Sequence, residues 1–205
     1  MNAEFMNQCA PAERGTDVRR HGAPRFARGA RGFSLLEILL VVSIIGLAMA
    51  IALPNIGGAL LNARADAAAR QLLGQLRSAR DIAMAQRRTV EVQFLGTREV
   101  RAIRIDGALR TTLADLFLEN GVQFGLSTGV PDTPDVFGNA RAVDFGGPTT
   151  IWFLSDGSVV DATNLPISGT VFIAIPSRPL SARAVTVLGP TGRMALYKWN
   201  SRTWR

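Results

Sequence analysis

Gly32 and Phe33 meet where a basic stretch gives way to an apolar one, and Glu37 follows inside the run "RGFSLLEILLVVSIIGLAMAIALP" (31–54). These three residues set up chemistry at a chain terminus. Glycine has no side chain to clash in a protease cleft, so the Gly32–Phe33 bond suits cleavage. The cut would make Phe33 a new N-terminus with an α-amine that is cationic at neutral pH. A carboxylate inside a membrane-length apolar run costs upward of about 2.5 kcal/mol and calls for a partner. The Phe33 amine of the same chain is one partner, and the amine of a neighbouring subunit in a helical array is another. Snorkelling of Glu37 to the lipid headgroups is a third arrangement.

Other chemistry is scarce. Residues 33–205 contain neither His nor Cys, because Cys9 and His21 both precede the apolar run. That removes thiol nucleophiles, disulfides and the usual zinc ligands from the folded part. No glycine-rich phosphate loop follows a strand, and the scattered Ser and Asp residues read as turn and surface positions. The expectation is a protein that is not an enzyme and takes no cofactor and no metal. Asp132, Asp135 and Asp144 are oxygen ligands within a Pro/Gly-rich segment at 127–148, but their spacing fits no cation loop, and a flexible surface loop is expected there.

The end of the chain is the other candidate region. From residue 162 onward there is no acid and there are six bases, whereas residues 33–161 hold 11 bases and 13 acids, a net of −2. Arg193, Lys198, Trp199, Arg202, Trp204 and Arg205 form a candidate basic and aromatic contact surface. It could grip phosphates and stack on bases, meet an acidic neighbouring subunit, or lie on lipid headgroups. Trp199 and Trp204 are expected in packing or at an interface more than as base-stacking platforms.

These residues need elements to position them. Phe33 to Leu53 is 21 residues with one charge, about 31 Å of α-helix and long enough to span a hydrocarbon core. Six Arg precede it and predict an N-terminus held in the cytoplasm, with everything after Pro54 outside the inner membrane. Pro54 and Gly57-Gly58 predict a weak or kinked point. From 55 to 88, Leu61, Ala65, Ala68, Leu72, Leu76, Ala79 and Ala83 recur at steps of three and four, one stripe of an amphipathic helix. Asp66/Arg70 and Arg77/Asp81 are spaced for surface pairs.

After 88 the period changes from helical to alternating. "TVEVQF" and "REVRAIRI" flank Gly96 as a hairpin, with Val90, Val92 and Phe94 on one face. Shorter strand candidates are 121–126, 150–155, 158–162, 170–176 and 184–189, with "RMALYKW" last. Asp156-Gly157 and Gly189–Gly192 are the tight turns. The fold class is α+β, a long N-terminal helix packed on antiparallel sheet. The segments are 1–32, a removable basic leader; 33–54, a transmembrane helix; 55–88, an amphipathic helix; and 89–205, a β-rich domain.

The run from Arg31 to Pro54 resembles the class III signal of type IV pilins and type II secretion pseudopilins. The resemblance implies that a prepilin peptidase cuts after Gly32, that Phe33 becomes N-methylated, and that Glu37 is the assembly carboxylate. The leader is longer than most in that family, and Ser34 stands where Thr is commoner. Phe153–Gly157 ("FLSDG") and Thr191-Gly192-Arg193 look like the β-domain of the GspH/FimT group of minor pseudopilins. The function implied is a minor pseudopilin of a type II secretion system, a single-pass inner-membrane protein with a periplasmic domain and other pseudopilins as partners. The alternative is a FimT-like minor pilin that binds DNA. Met194-Ala195 after the "G-R" depart from the DNA-binding members, so nucleic acid is the less favoured partner.

Overall fold

The computed structural model describes residues 33–205, apart from the side chains of residues 51–56. The leader, Gly32 and the Pro54 side chain therefore lie outside the described residues. What is described falls into two units divided between Ile45 and Gly46, and each is taken by itself.

One helix, α1 (Leu35–Gln86), occupies the span where two segments were expected, and it is assigned without a break through Pro54 and Gly57-Gly58. A proline removes one ladder hydrogen bond, and intact turns on either side can carry the helix past it. α1 closes with Arg87 at φ 50° and the Arg88 N–H on the Ala83 carbonyl at 3.1 Å. This left-handed cap turns the chain into the first strand.

Ten strands follow: β1 (Thr89–Leu95), β2 (Glu99–Asp106), β3 (Leu109–Phe117), β4 (Gln123–Phe124), β5 (Val143–Asp144), β6 (Thr150–Phe153), β7 (Val159–Val160), β8 (Gly169–Ile175), β9 (Arg178–Leu188) and β10 (Arg193–Lys198). They make two antiparallel sheets, ordered β3-β2-β1-β6-β7 and β10-β9-β8-β4, with β5 also paired to β8. The α+β reading and the β1–β2 hairpin hold. β3 was not expected. Its pattern is a weak alternation on a half-exposed edge strand, and a register shift beside Leu113 bends it. The Asp106-Gly107 turn, with Gly107 at φ 63°, was the available signal.

The apolar stripe packs as its spacing required. Ala65, Ala68, Leu72, Leu76, Ala79 and Ala83 are buried, and from Ala68 onward they share one core with Val90, Val92, Ile151, Phe153, Val171, Ile173, Val185 and Val187. Each buried Leu contributes about 1.5–3 kcal/mol by leaving water. Alanine elsewhere on the stripe lets both sheets approach the helix closely.

Two tight turns meet on this helix. Arg80 donates from Nε to the Gly157 carbonyl at 3.2 Å and from Nη2 to the Thr191 carbonyl at 3.1 Å. Both glycines have positive φ, and a Cβ on Gly192 would collide with the Gly157 carbonyl oxygen. The "SDG" and "TGR" stretches are thus one packed joint, held from the helix by one guanidinium.

Candidate assembly site

At the head of α1, Ser34 is the helix N-cap. Its carbonyl accepts the Glu37 and Ile38 N–H groups at 3.0 and 3.2 Å, and its Oγ accepts the Leu36 N–H at 3.3 Å. Glu37 therefore occupies the third helical position, where the positive end of the helix dipole favours a carboxylate. This position adds the helix end to the surroundings expected for Glu37, which were the Phe33 amine of its own chain, that of a neighbour, or the lipid headgroups.

Around this cap the apolar side chains have no cover from the described chain. Phe33 is 76% exposed and Leu35 87%, and Leu36, Ile38, Leu39, Val42 and Ile44 are exposed as well. Apolar side chains left bare on every helical face call for an apolar medium or partner helices. Among the described residues no helix is long and apolar enough to cross a membrane. The span predicted at 33–54 ends within residues 51–56, whose side chains are outside those described.

The C-terminal candidates separate. Trp199 is buried, in a small cluster with Val130, Ala174, Ala182 and Trp204. Burial fits the packing role expected for it and takes it out of the candidate contact surface. Trp204 is half-buried, 5.4 Å from Trp199 by ring centroids, and its Nε1 donates to the Pro131 carbonyl at 2.9 Å. Arg193 lies 3.6 Å from Asp135, and Lys198 lies 3.4 Å from Asp66. Arg202 and Arg205 are exposed and, among the described residues, have no carboxylate partner.

Arg183, by sequence one of six equivalent tail bases, is buried by the fold. It is 1% exposed. Its Nε donates to Asp66 at 2.5 Å, and its Nη1 to the Leu180 and Ala182 carbonyls at 2.9 and 2.8 Å. Asp66 was expected to pair with Arg70 along the helix; it pairs instead with Arg183 and Lys198 across to β9 and β10. Arg77 and Asp81 do not pair among the described residues. Burial pushes the Asp66 carboxyl up, but hydrogen bonding and charge from Arg183, with help from Lys198, outweigh it, and the net direction is down. Tyr197 is raised by burial first and then by Asp135, whose carboxylate accepts its hydroxyl at 3.2 Å.

The 127–148 segment is built into the fold and is not a loose loop. Asp132 accepts the Thr133 and Gly138 N–H groups at 2.7 and 2.9 Å, and Asp144 accepts those of Ala140 and Gly146 at 2.8 and 3.3 Å. Asp135 accepts from Thr186 Oγ1 at 2.6 Å. Asp132 and Asp144 accept from nearby backbone and Asp135 from distant strands, and among the described residues no group of acids is arranged to hold a metal ion.

With that geometry in place, likeness to known proteins can be stated. Residues 27–53 match the prokaryotic N-terminal methylation motif, which covers the Gly32–Phe33 junction, the Ser34 cap and Glu37. No curated protein sequence matches the chain. Among solved structures, the chain is similar to the minor pseudopilin EpsH from the type 2 secretion system of Vibrio cholerae, at 15% identity and a TM-score of 0.45, over 66% of this chain and 97% of that one. It is similar also to the type IV minor pilin FimU of Pseudomonas aeruginosa, at 17% identity and a TM-score of 0.45, over 68% of this chain and 96% of that one.

Proposed function

We propose that this chain is a minor pilin-like subunit that works by assembly and not by catalysis, and specifically a minor pseudopilin of a type II secretion system. The carrying observation is the methylation motif at 27–53 leading into a capped apolar helix that no other described part of the chain covers. Prepilin peptidase would cut after Gly32, and Phe33 would become the methylated N-terminus. Residues 33–54 would store the subunit in the inner membrane and then form the filament core, with the β-rich domain on the periplasmic side. Glu37 would neutralise an N-terminal amine in the assembled array, where leaving water makes an unpaired charge costly.

Ion pairing bears on the competing DNA-binding reading. Of the six bases after residue 162, Arg183, Lys198 and Arg193 face Asp66 or Asp135, and Trp199 is buried. Less charge and less aromatic surface are left for a phosphate backbone than the sequence suggested, which favours protein assembly.

The test replaces Glu37 by Leu in the cell that makes the protein. Mass spectrometry should find the variant cut after Gly32 and membrane-inserted like the parent, while its recovery in sheared filaments falls at least about tenfold, the equivalent of about 1.4 kcal/mol per assembly step. Normal recovery of the cut, inserted variant in filaments would remove the role assigned to Glu37.

A further inference from the structure

We infer that the β8–β9 hairpin tip and the C-terminal turn together form a basic and apolar foot that rests on anionic phospholipid headgroups while the subunit is stored in the bilayer. The inference rests on the membrane-anchored reading above. It adds a second contact with lipid, made by the folded domain.

The placement follows from the helix and the strands. The tip, Ser177–Ser181, faces Gly58, Leu61 and Asn62 of α1 across an apolar cleft of 230 Å³. Gly58 is four residues past Pro54, about 6 Å along the helix from the end of the predicted span. β9 then runs along α1 away from this end. Arg183 reaches Asn62 and Asp66, and the turn after β9 reaches Arg80, about 20 Å farther along the axis. β10 returns, and the Trp199 N–H donates to the Ala182 carbonyl at 3.1 Å. That contact sets the Asn200–Thr203 turn at the same end as the tip.

Basic and apolar groups outnumber exposed acids at this end. Arg178, Arg202 and Arg205 are exposed and have no carboxylate partner among the described residues, and Leu180 is 52% exposed and Leu60 50%. Arg178 is the single charged residue lining the neighbouring 480 Å³ groove. Of the acids near this end, Asp66 is engaged by Arg183 and Lys198, and Asp132 is turned to backbone N–H groups. Glu119, on the link into β4, is exposed. Bases flanking exposed leucines suit an anionic lipid surface, where the cations meet phosphates and the leucines enter the acyl boundary.

The tip is also held rigid. The Ser181 hydroxyl accepts the Ile175 N–H at 2.8 Å and donates to the Arg178 carbonyl at 2.6 Å, and buried Arg183 fixes the Leu180 carbonyl. Ser177 takes φ 60° to make the turn. Presenting Arg178, Pro179 and Leu180 therefore costs little further ordering on contact.

The test uses the full chain with Cys9→Ser, reconstituted in vesicles, carrying a polarity-sensitive fluorophore on Leu180→Cys or, as a control from the opposite end, on Thr191→Cys. Flotation of the chain with the vesicles reports anchoring independently of the foot. In phosphatidylcholine with about one-third phosphatidylglycerol, quenching by headgroup-region nitroxide lipid should be at least about twofold stronger at 180 than at 191. The difference should vanish in pure phosphatidylcholine, in about 0.5 M salt, and in the Arg178→Glu, Arg202→Glu, Arg205→Glu variant. A chain that floats with equal quenching at both sites overturns the foot while leaving the anchor intact. Stronger quenching at 180 that ignores lipid charge and salt overturns the headgroup contact, and a chain that does not float removes both readings.

Discussion

Asp66→Asn isolates what the buried Arg183 requires. Arg183 is 1% exposed and Asp66 is its single carboxylate partner among the described residues, so neutralising Asp66 leaves a buried guanidinium facing carbonyls. Breaking a buried pair by removing one partner typically costs about 3–5 kcal/mol. The Asp66 side chain is itself 25% exposed, so water offsets part of that, and the expected loss is about 2–3 kcal/mol. For a domain of this size that lowers the midpoint of thermal unfolding by about 4–12 °C.

Urea unfolding of the detergent-solubilised chain, followed by the combined fluorescence of Trp152, Trp199 and Trp204, measures it. Arg183→Met should cost less, because Asp66 keeps Lys198 at 3.4 Å and the methionine fills an apolar site. The double variant should recover most of the loss, giving a coupling energy above about 1 kcal/mol. The pH dependence carries the same sign. The Asp66 carboxyl is lowered in the folded state, so its contribution is complete above its ordinary value of 3.8 and fades as the pH falls below that. An Asp66→Asn variant within about 0.5 kcal/mol of the parent at neutral pH would refute the view that this pair holds the helix to β9.

Three further outcomes follow from the packing. Gly192→Ala places a methyl against the Gly157 carbonyl and the Arg80 side chain at φ 60°, and should cost about 2–4 kcal/mol in the same urea titration. A cost below about 1 kcal/mol would mean that the two turns are not a packed joint. Trp199→Ala empties the cluster of Val130, Ala174 and Ala182, and should cost about 3 kcal/mol while leaving filament recovery per folded molecule unchanged. DNA binding across a salt series should be weak, with a shallow slope set by Arg178, Arg202 and Arg205 and not by all six tail bases.

Reading from residues alone reached the local features. Strand positions with alternating side chains, such as Val90, Val92 and Phe94, and the helical stripe from Ala65 to Ala83 carry their burial in their periods, because a period fixes which face points inward. Edge strand β3 was missed because an edge buries one face only in part, so "LRTTLADLF" carries little pattern. The segment 127–148 looked loose because its order comes from Asp132, Asp135 and Asp144 accepting particular N–H and hydroxyl groups, two of them 51 and 62 residues away in sequence. Composition does not encode such partners.

The sequence by itself determined the head of the molecule. A Gly–Phe junction, a capped apolar helix and one carboxylate are local chemistry, governed by neighbours within one or two helical turns. Only the tertiary structure decided what the acid-free tail is. Run as a list, it holds six equivalent bases. Folded, it buries Arg183 against Asp66, spends Lys198 and Arg193 on acids from earlier in the chain, hides Trp199, and leaves Arg178, Arg202 and Arg205 gathered at one end. The reason is that charge pairs form between groups close in space, and β9 and β10 bring residues 117 and 132 positions apart within hydrogen-bonding reach of Asp66.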